Sequence, residues 1–349
     1  MTAENTLKEN PERNDWVWSF EDHKIATRPT YHTVGYQKMF AEYDLSDSRL
    51  VVGIAGSARV EIPILVREIS PQRLEAYSAY GYGGYLGDGM FRLHDVDKLR
   101  SFLAGHGIVA LFLRHSPFLD NHHFWPEYLL EKNRWTYSVN LHNFENLEQG
   151  LKALPKKLRW SVNYARRAGL DVDFYTLDVC SAEHITRFYQ LYADVMAEKE
   201  ADSYYWFSEE FFLAHARYLG ASCELAQIQD PQTGELLAGA FFIRDEAGWV
   251  HYHLSAAKKT AMKLQAMEWL IFAAIFRYGQ ERQTNLHLGG GHLLDESDGL
   301  SRFKAQFSDH RHSFFTTKLI CDQLAYDEER KKIPLLFPQF FLVADARGV

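Results

Sequence analysis

The stretch Cys223-Glu-Leu-Ala-Gln-Ile-Gln229, Asp230-Pro-Gln-Thr-Gly234, Leu236-Leu-Ala-Gly-Ala-Phe-Phe-Ile-Arg244, Asp245-Glu-Ala-Gly248 and Trp249-Val-His-Tyr-His-Leu-Ser255 decides the fold. Three apolar, β-rich runs are separated by two short segments of turn residues, so they predict an antiparallel meander. A long helix is expected next, over Thr260–Gly279, then a strand over Asn285–Gly289. After the glycines 289–291 and an acidic loop, Leu300–Phe307 reads as a short helix and Ser313–Ile320 as a strand. The order meander, helix, strand, helix, strand is mixed α/β and not an alternating doubly wound pattern.

Upstream, the same vocabulary recurs more loosely. Leu50–Ala55 and Arg59–Ile69 flank Gly56-Ser57 and read as a hairpin. A Gly/Tyr segment spans Tyr80 to Gly89, and a helix (Asp95–Gly105) and a strand (Ile108–Arg114) follow. Ser116 to Trp135 reads as loop with short helical turns, and Tyr137–Leu141 as a strand. Pro155–Gly169 has a first-turn proline and a glycine stop. Ile185, Phe188, Tyr192, Val195 and Met196 recur at helical spacing, and Ser208 with Glu209 and Glu210 opens a further helix. The economical reading is two copies of one α/β unit: a polar leader over 1–30, a first domain over 31–145 and a second over 146–349.

The 349 residues carry 38 Lys+Arg against 46 Asp+Glu, a net charge of −8, with 46% hydrophobic and 15% aromatic residues. That apolar share builds a packed core and excludes a disordered or fibrous chain. No run of about 18 apolar residues occurs, and none is expected to span a membrane. The N-terminus lacks the apolar block of a secretion signal, and three scattered cysteines do not make a disulfide framework, so a cytoplasmic setting is expected. The acidic balance argues against general nucleic-acid binding and against DNA.

Several motifs carry candidate chemistry. The Gly/Tyr loop lacks the Gly-Lys-Ser/Thr ending of a phosphate-binding loop and the spacing of a dinucleotide site. Its glycines let backbone approach a ligand while Tyr80, Tyr82 and Tyr85 line a wall; a strained turn packed with aromatics is the plainer account. Gly290, within the 289–291 run, similarly offers backbone N–H groups. Tyr252 and His253 alternate on a strand, so only one of them faces any one site, and Tyr252 is preferred. Lys156, Arg159 and Arg166 fall on one side of a helix whose surroundings, residues 151–170, contain no acid; a solvated helix face competes with a polyanion site. His122-His123 and the His310/His312 pair have no Cys or carboxylate partner at ligand spacing, so no metal is expected.

The chain resembles the tandem-GNAT group of Fem-type aminoacyltransferases. The residues that carry this are Tyr36-Gln-Lys38, the Gly/Tyr loop, the stretch from Leu158 to Gly169, His251-Tyr-His-Leu254, Leu288-Gly-Gly-Gly291, and Gly299-Leu-Ser-Arg-Phe-Lys-Ala-Gln-Phe307. The resemblance covers nearly all of the chain from Tyr31. It implies two GNAT-like domains side by side, and transfer of an amino acid from aminoacyl-tRNA to an amine of a peptidoglycan precursor or a small metabolite. The family's Phe-Lys pair falls on Phe303-Lys304, and its acidic residue on Asp88, where the local spacing is one residue longer. Its substrate lysine lies near Lys38, and Tyr205 is assigned to the substrate side. Lys304 is then expected as a fixed positive charge at the oxyanion or leaving hydroxyl, Asp88 as proton acceptor, Tyr252 as relay and His253 as its reserve.

Ordinary GNAT enzymes hold CoA pyrophosphate on a glycine-bearing turn between strand and helix. Residues 257–263 have none, and offer Lys258, Lys259 and Lys263 to phosphates instead. This favours aminoacyl-tRNA as co-substrate, with no resident cofactor, over acyl-CoA. An acyl-CoA-dependent N- or O-acyltransferase acting on a sugar or metabolite is the second reading, and a catalytically silent binding module the third.

Overall fold

The computed structural model describes residues 15–23, 29–87, 89–144, 146–201, 205–291, 293, 297–308 and 310–332. A first strand, β1 (Val17–Glu21), lies inside the stretch read as a polar leader. Trp16 and Trp18 pack on Phe91, giving β1 a core face, and its backbone pairs with β2 (Asp47–Ala55). Between them runs α1 (Val34–Asp44), which the sequence reading passed over; Thr33 caps it by accepting the Tyr36 N–H.

The two units have the same build. In the first, β2, β3 (Ala58–Ser70) and β4 (Arg73–Tyr77) form an antiparallel meander. The short β5 (Leu86–Gly87) pairs with β3, and α2 (Leu93–Gly105) leads to β6 (Ile108–Arg114), parallel to β4. In the second, β8 (Asp173–Thr176) edges the meander of β9 (Cys223–Gln229), β10 (Leu236–Arg244) and β11 (Trp249–Ala257). A helical crossover then brings β12 (Asn285–Gly290) parallel to β11.

That crossover is not the single helix expected over Thr260–Gly279. It breaks into α7 (Lys259–Lys263) and α8 (Ala266–Gln280) at Gln265, whose φ of 57° is left-handed. The Gln265 side chain accepts a hydrogen bond from Ser161, so tertiary contact holds the break. The stretch read as loop up to Trp135 becomes strand from Leu130: β7 (Leu130–Asn140) pairs on one side with β12 and on the other with β13 (His310–Ile320). Both partners lie more than a hundred residues away, so nothing local announces this strand.

Among the described residues thirteen strands form one sheet, with order β1-β2-β3-β4-β6-β13-β7-β12-β11-β10-β9-β8 and β5 paired on β3. The late strand β13 sits between β6 and β7, which interlocks the halves. Over the second half, one face is covered by α4 (Lys156–Arg167), α8 and the residues before α4, including α3 (Leu147–Ala153). The other face takes α1, α5 (Ala182–Glu198) and α6 (Glu209–Leu219). Strands β10 and β6 serve both faces. Phe242 points to α8 and Phe241 to α6, while Leu111 joins the α2 core and Phe112 the packing of α10 (Gln323–Lys332). No helix among the described residues is long and apolar enough to cross a membrane.

Candidate active site

The parallel ladder between β11 and β12 has rungs at Trp249–Asn285, Val250–Leu286 and His251–His287 and then ends. Beyond it, residues 252–257 and 288–290 no longer pair with each other, which leaves a gap in the ladder. At that point β12 shifts register against β7, and Gly289 takes a φ of +74°. Three side chains from distant parts of the sequence enter the gap: Lys304 from α9 (Gly299–Ala305), Tyr82 from the Gly/Tyr loop and Tyr252 from β11.

Asp298 anchors α9 by accepting the N–H groups of Leu300 and Ser301 and the Ser301 hydroxyl. Gly291 leaves room for this cap, because a Cβ there would lie 1.9 Å from the Ser301 Oγ. So anchored, the helix carries the Lys304 Nζ to 2.7 Å from the Gly290 carbonyl oxygen, to which it donates, and 5.8 Å from the Tyr252 ring centroid. A Cβ on Gly289 would stand 3.2 Å from that nitrogen and 3.5 Å from the Tyr82 hydroxyl, so one bare backbone position abuts both groups.

Lys304 is only 7% exposed. Burial, and then the Arg134 guanidinium, lower its pKa to about 7, against a smaller opposing pull from Asp298. The fixed positive charge expected there is therefore corrected: at neutral pH this amine is poised to gain or lose a proton. Tyr252 is pushed up to about 12 by burial and donates to the Ser255 Oγ at 2.5 Å. Tyr82 is likewise raised to about 12 by burial; Arg134 and a backbone hydrogen bond from Gly290 pull it down, and the nearby Tyr205 phenol adds to the rise.

Lys304, Tyr252, Tyr82 and Gly290 thus meet in one place, with Tyr205 close enough to act on Tyr82. His253 faces the other side of the sheet, as strand alternation requires, among Tyr36, Tyr80 and His215, with its pKa held low by burial. Tyr80 packs there on Phe40 and Phe207. Tyr85 does not line a wall with Tyr82. It is buried in the first unit's core, stacked on Phe124, with its hydroxyl donating to Gly89 O. Phe303 packs on Phe307 in the α4–α8 core, and Lys38 is exposed on α1. Asp88 lies outside the described residues.

The phosphate-binding candidates divide. Lys156, Arg166 and Lys263 are exposed. Lys258 pairs with Glu235 and Lys259 with Glu198. Arg159 turns back and donates to the carbonyls of Lys152 and Leu154, closing the end of α3. That half-buried role, set by the tight α3–α4 junction, replaces the phosphate contact expected of it.

Sequence reasoning missed Arg134, which donates to the Gly291 carbonyl at 2.8 Å and lowers Lys304. It stands on β7, in a stretch whose sequence reads as loop. It also missed the buried pair His251 and His287 on the last rung of the ladder. Asp245 lies 3.5 Å from the His251 Nε2, and the Tyr82 ring meets His287 edge-on at 4.8 Å. The adjacent histidines do acquire a carboxylate neighbour: Asp120, His122 and His123 bring one ligand-type atom each within 4.8 Å of one another. The left-handed φ of Asp120 folds the loop back in a way spacing does not reveal.

No protein-family model matches the chain, and no curated protein does. Among solved structures it is similar to FemX, at 11% identity and TM-score 0.59, over 88% of this chain and 96% of that one. It is also similar to the C-terminal domain of a putative lysylphosphatidylglycerol synthetase from Agrobacterium fabrum, at 16% identity and TM-score 0.52, over 73% and 79% of the two chains. At such identities the likeness establishes the fold alone, which is that of FemX.

Proposed function

We propose that the protein is an acyltransferase that moves an aminoacyl group from aminoacyl-tRNA to an amine of a peptidoglycan precursor or a small metabolite. The observation that carries this is the Lys304 amine, buried in a gap of the sheet with a proton affinity near neutrality. Aminolysis of an ester forms a C–N bond and breaks a C–O bond, and one proton must pass from the attacking nitrogen to the leaving oxygen. A neutral Lys304 accepts that proton and returns it to the departing ribose hydroxyl. Tyr82, whose hydroxyl stays protonated at neutral pH, offers a donor to the developing oxyanion, while the Tyr252 hydroxyl is engaged by Ser255. Holding the two substrates side by side supplies the remaining acceleration.

The Fem-like fold supports this class of reaction, and the resemblance at Phe303-Lys304 supports the donor. Acyl-CoA is the weaker donor reading, because Lys258 and Lys259 are already engaged by carboxylates and no glycine opens residues 257–263. The test incubates purified protein with labelled aminoacyl-tRNA pools, or with acyl-CoAs, and an amine-bearing extract. Label should leave aminoacyl-tRNA in the wild type and stay in place with Lys304→Met. Undiminished transfer by that variant, or consumption of acyl-CoA alone, overturns the reading.

A further inference from the structure

Helix α4 turns Leu158, Ser161, Val162 and Ala165 inward, and this fixes what its outer side displays. Lys157, Trp160, Tyr164 and Arg167, at intervals of three, four and three, form one line along it. Trp160 is 55% exposed and Tyr164 39%. Their rings stack on each other, with centroids 5.2 Å apart and planes 22° from parallel. Two large aromatics standing side by side in water, between cations, call for a partner.

Exposed Lys152, Lys156 and Arg166 flank the line. Beside it, between α4 and α8, lies a cleft of about 650 Å3 lined by Asn163, Arg166, Arg167, Leu170, Asp171 and Trp269. The Arg166 guanidinium sits 5.6 Å over the Trp269 ring, and the Trp269 indole is fixed by donating to Leu170 O. Acids nearby include Asp171 in the cleft and Glu268 of α8, whose carboxyl feels Lys157.

We propose that this face of α4 is a platform for unpaired RNA, on which bases stack against Trp160 and Tyr164 while Lys157, Arg167 and their basic neighbours hold the phosphates. On a chain of net charge −8, the exposed Lys156, Lys157, Arg166 and Arg167 of one acid-free helix form a local basic face complementary to a polyanion. Flat open rings interleaved with those cations select a polyanion whose base faces are free, which a duplex does not offer. From Lys157 to Arg167 the line is about 15 Å long, enough for a few nucleotides. The proposal deepens the aminoacyl-tRNA reading and rests on it for the choice of RNA.

The experiment follows fluorescence anisotropy of the full chain with a labelled single-stranded RNA of about eight nucleotides, and with the matching RNA duplex. Single-stranded RNA should bind, and Trp160→Ala with Tyr164→Ala should weaken it by about tenfold or more, at wild-type far-UV circular dichroism. Trp160→Phe with Tyr164→Phe should restore most of the affinity, which a merely structural role in the helix would not require. Lys157→Gln with Arg167→Gln should flatten the salt dependence between about 50 and 200 mM by roughly 1.4 in log–log slope. Equal affinity for duplex, or unchanged binding by the alanine pair, overturns the platform. Transfer from acyl-CoA alone, combined with ring-dependent RNA binding, would sink the donor reading and leave the platform standing.

Discussion

The molecule contains the same seam twice, closed in one unit and open in the other. In the first, β4 runs parallel to β6 from Leu74–Ile108 to Tyr77–Phe112, and the chain stays zipped beyond. The Ser78 N–H reaches Phe112 O, the Ser78 hydroxyl accepts the Arg114 N–H, and Gly83 bridges to His115. Asn121 locks the result. Its amide donates to the carbonyls of Gly83 and Tyr85, and its oxygen accepts the Ser116 N–H. In the second, the ladder stops at His251–His287 and the strands part. The loop that closes the first seam contributes Tyr82 to the gap in the second. A sheet that pairs fully leaves no backbone for chemistry; where this one parts early, a buried lysine stands against free backbone and changes character.

The largest expected effect comes from emptying the open seam. Lys304→Met should lower transfer by about 10²–10⁴-fold with the fold intact, measured as single-turnover rate. Lys304→Arg should fall as far, since a guanidinium does not release its proton. An arginine variant that keeps its turnover would mean charge alone is what the gap needs. Next, unlocking the closed seam with Asn121→Ala leaves three buried backbone groups unpaired. It should cost on the order of 2–4 kcal/mol in denaturant unfolding and slow transfer through displacement of Tyr82. A variant of unchanged midpoint and rate would uncouple the seams.

A finer probe is Arg134→Gln. It removes a positive charge that lowers Lys304, so the Lys304 pKa should rise. The acid limb of the pH–rate profile should then move upward on the order of one pH unit. An unmoved acid limb, with the alkaline limb rising instead, would mean the ammonium is the active form. The last effect is on stability. The folded chain releases the Lys304 proton near pH 7, whereas the unfolded chain keeps it up to the ordinary 10.5. Between those values the unfolded state binds more protons, so wild-type stability should rise with pH relative to Lys304→Met. Parallel melting curves across that range would argue that Lys304 is not buried in solution.

Much of the frame was legible because it is locally encoded. The runs 223–229 and 236–244 match strands end for end, and Ser208 caps α6 by accepting the Phe211 N–H. Lys304 was singled out through resemblance alone. Tyr85 was misassigned because identical tyrosines three residues apart in a glycine-rich loop carry no sign of which one turns inward. Arg159 was misassigned because helical spacing gives a face, not the carbonyls of a neighbouring helix end. The break at Gln265 and the early start of β7 both depend on partners far along the chain.

By itself, the sequence determined most element types and their order in the second unit, since turn residues and apolar period act over a few residues. Only the tertiary structure decided that β13 would slot between β6 and β7, that β11 and β12 would part, and that Lys304, Arg134 and Tyr82 would share one gap. Strand partnership is chosen by long-range burial and hydrogen bonding, and the proton affinity of Lys304 follows from that burial and from the charge of Arg134.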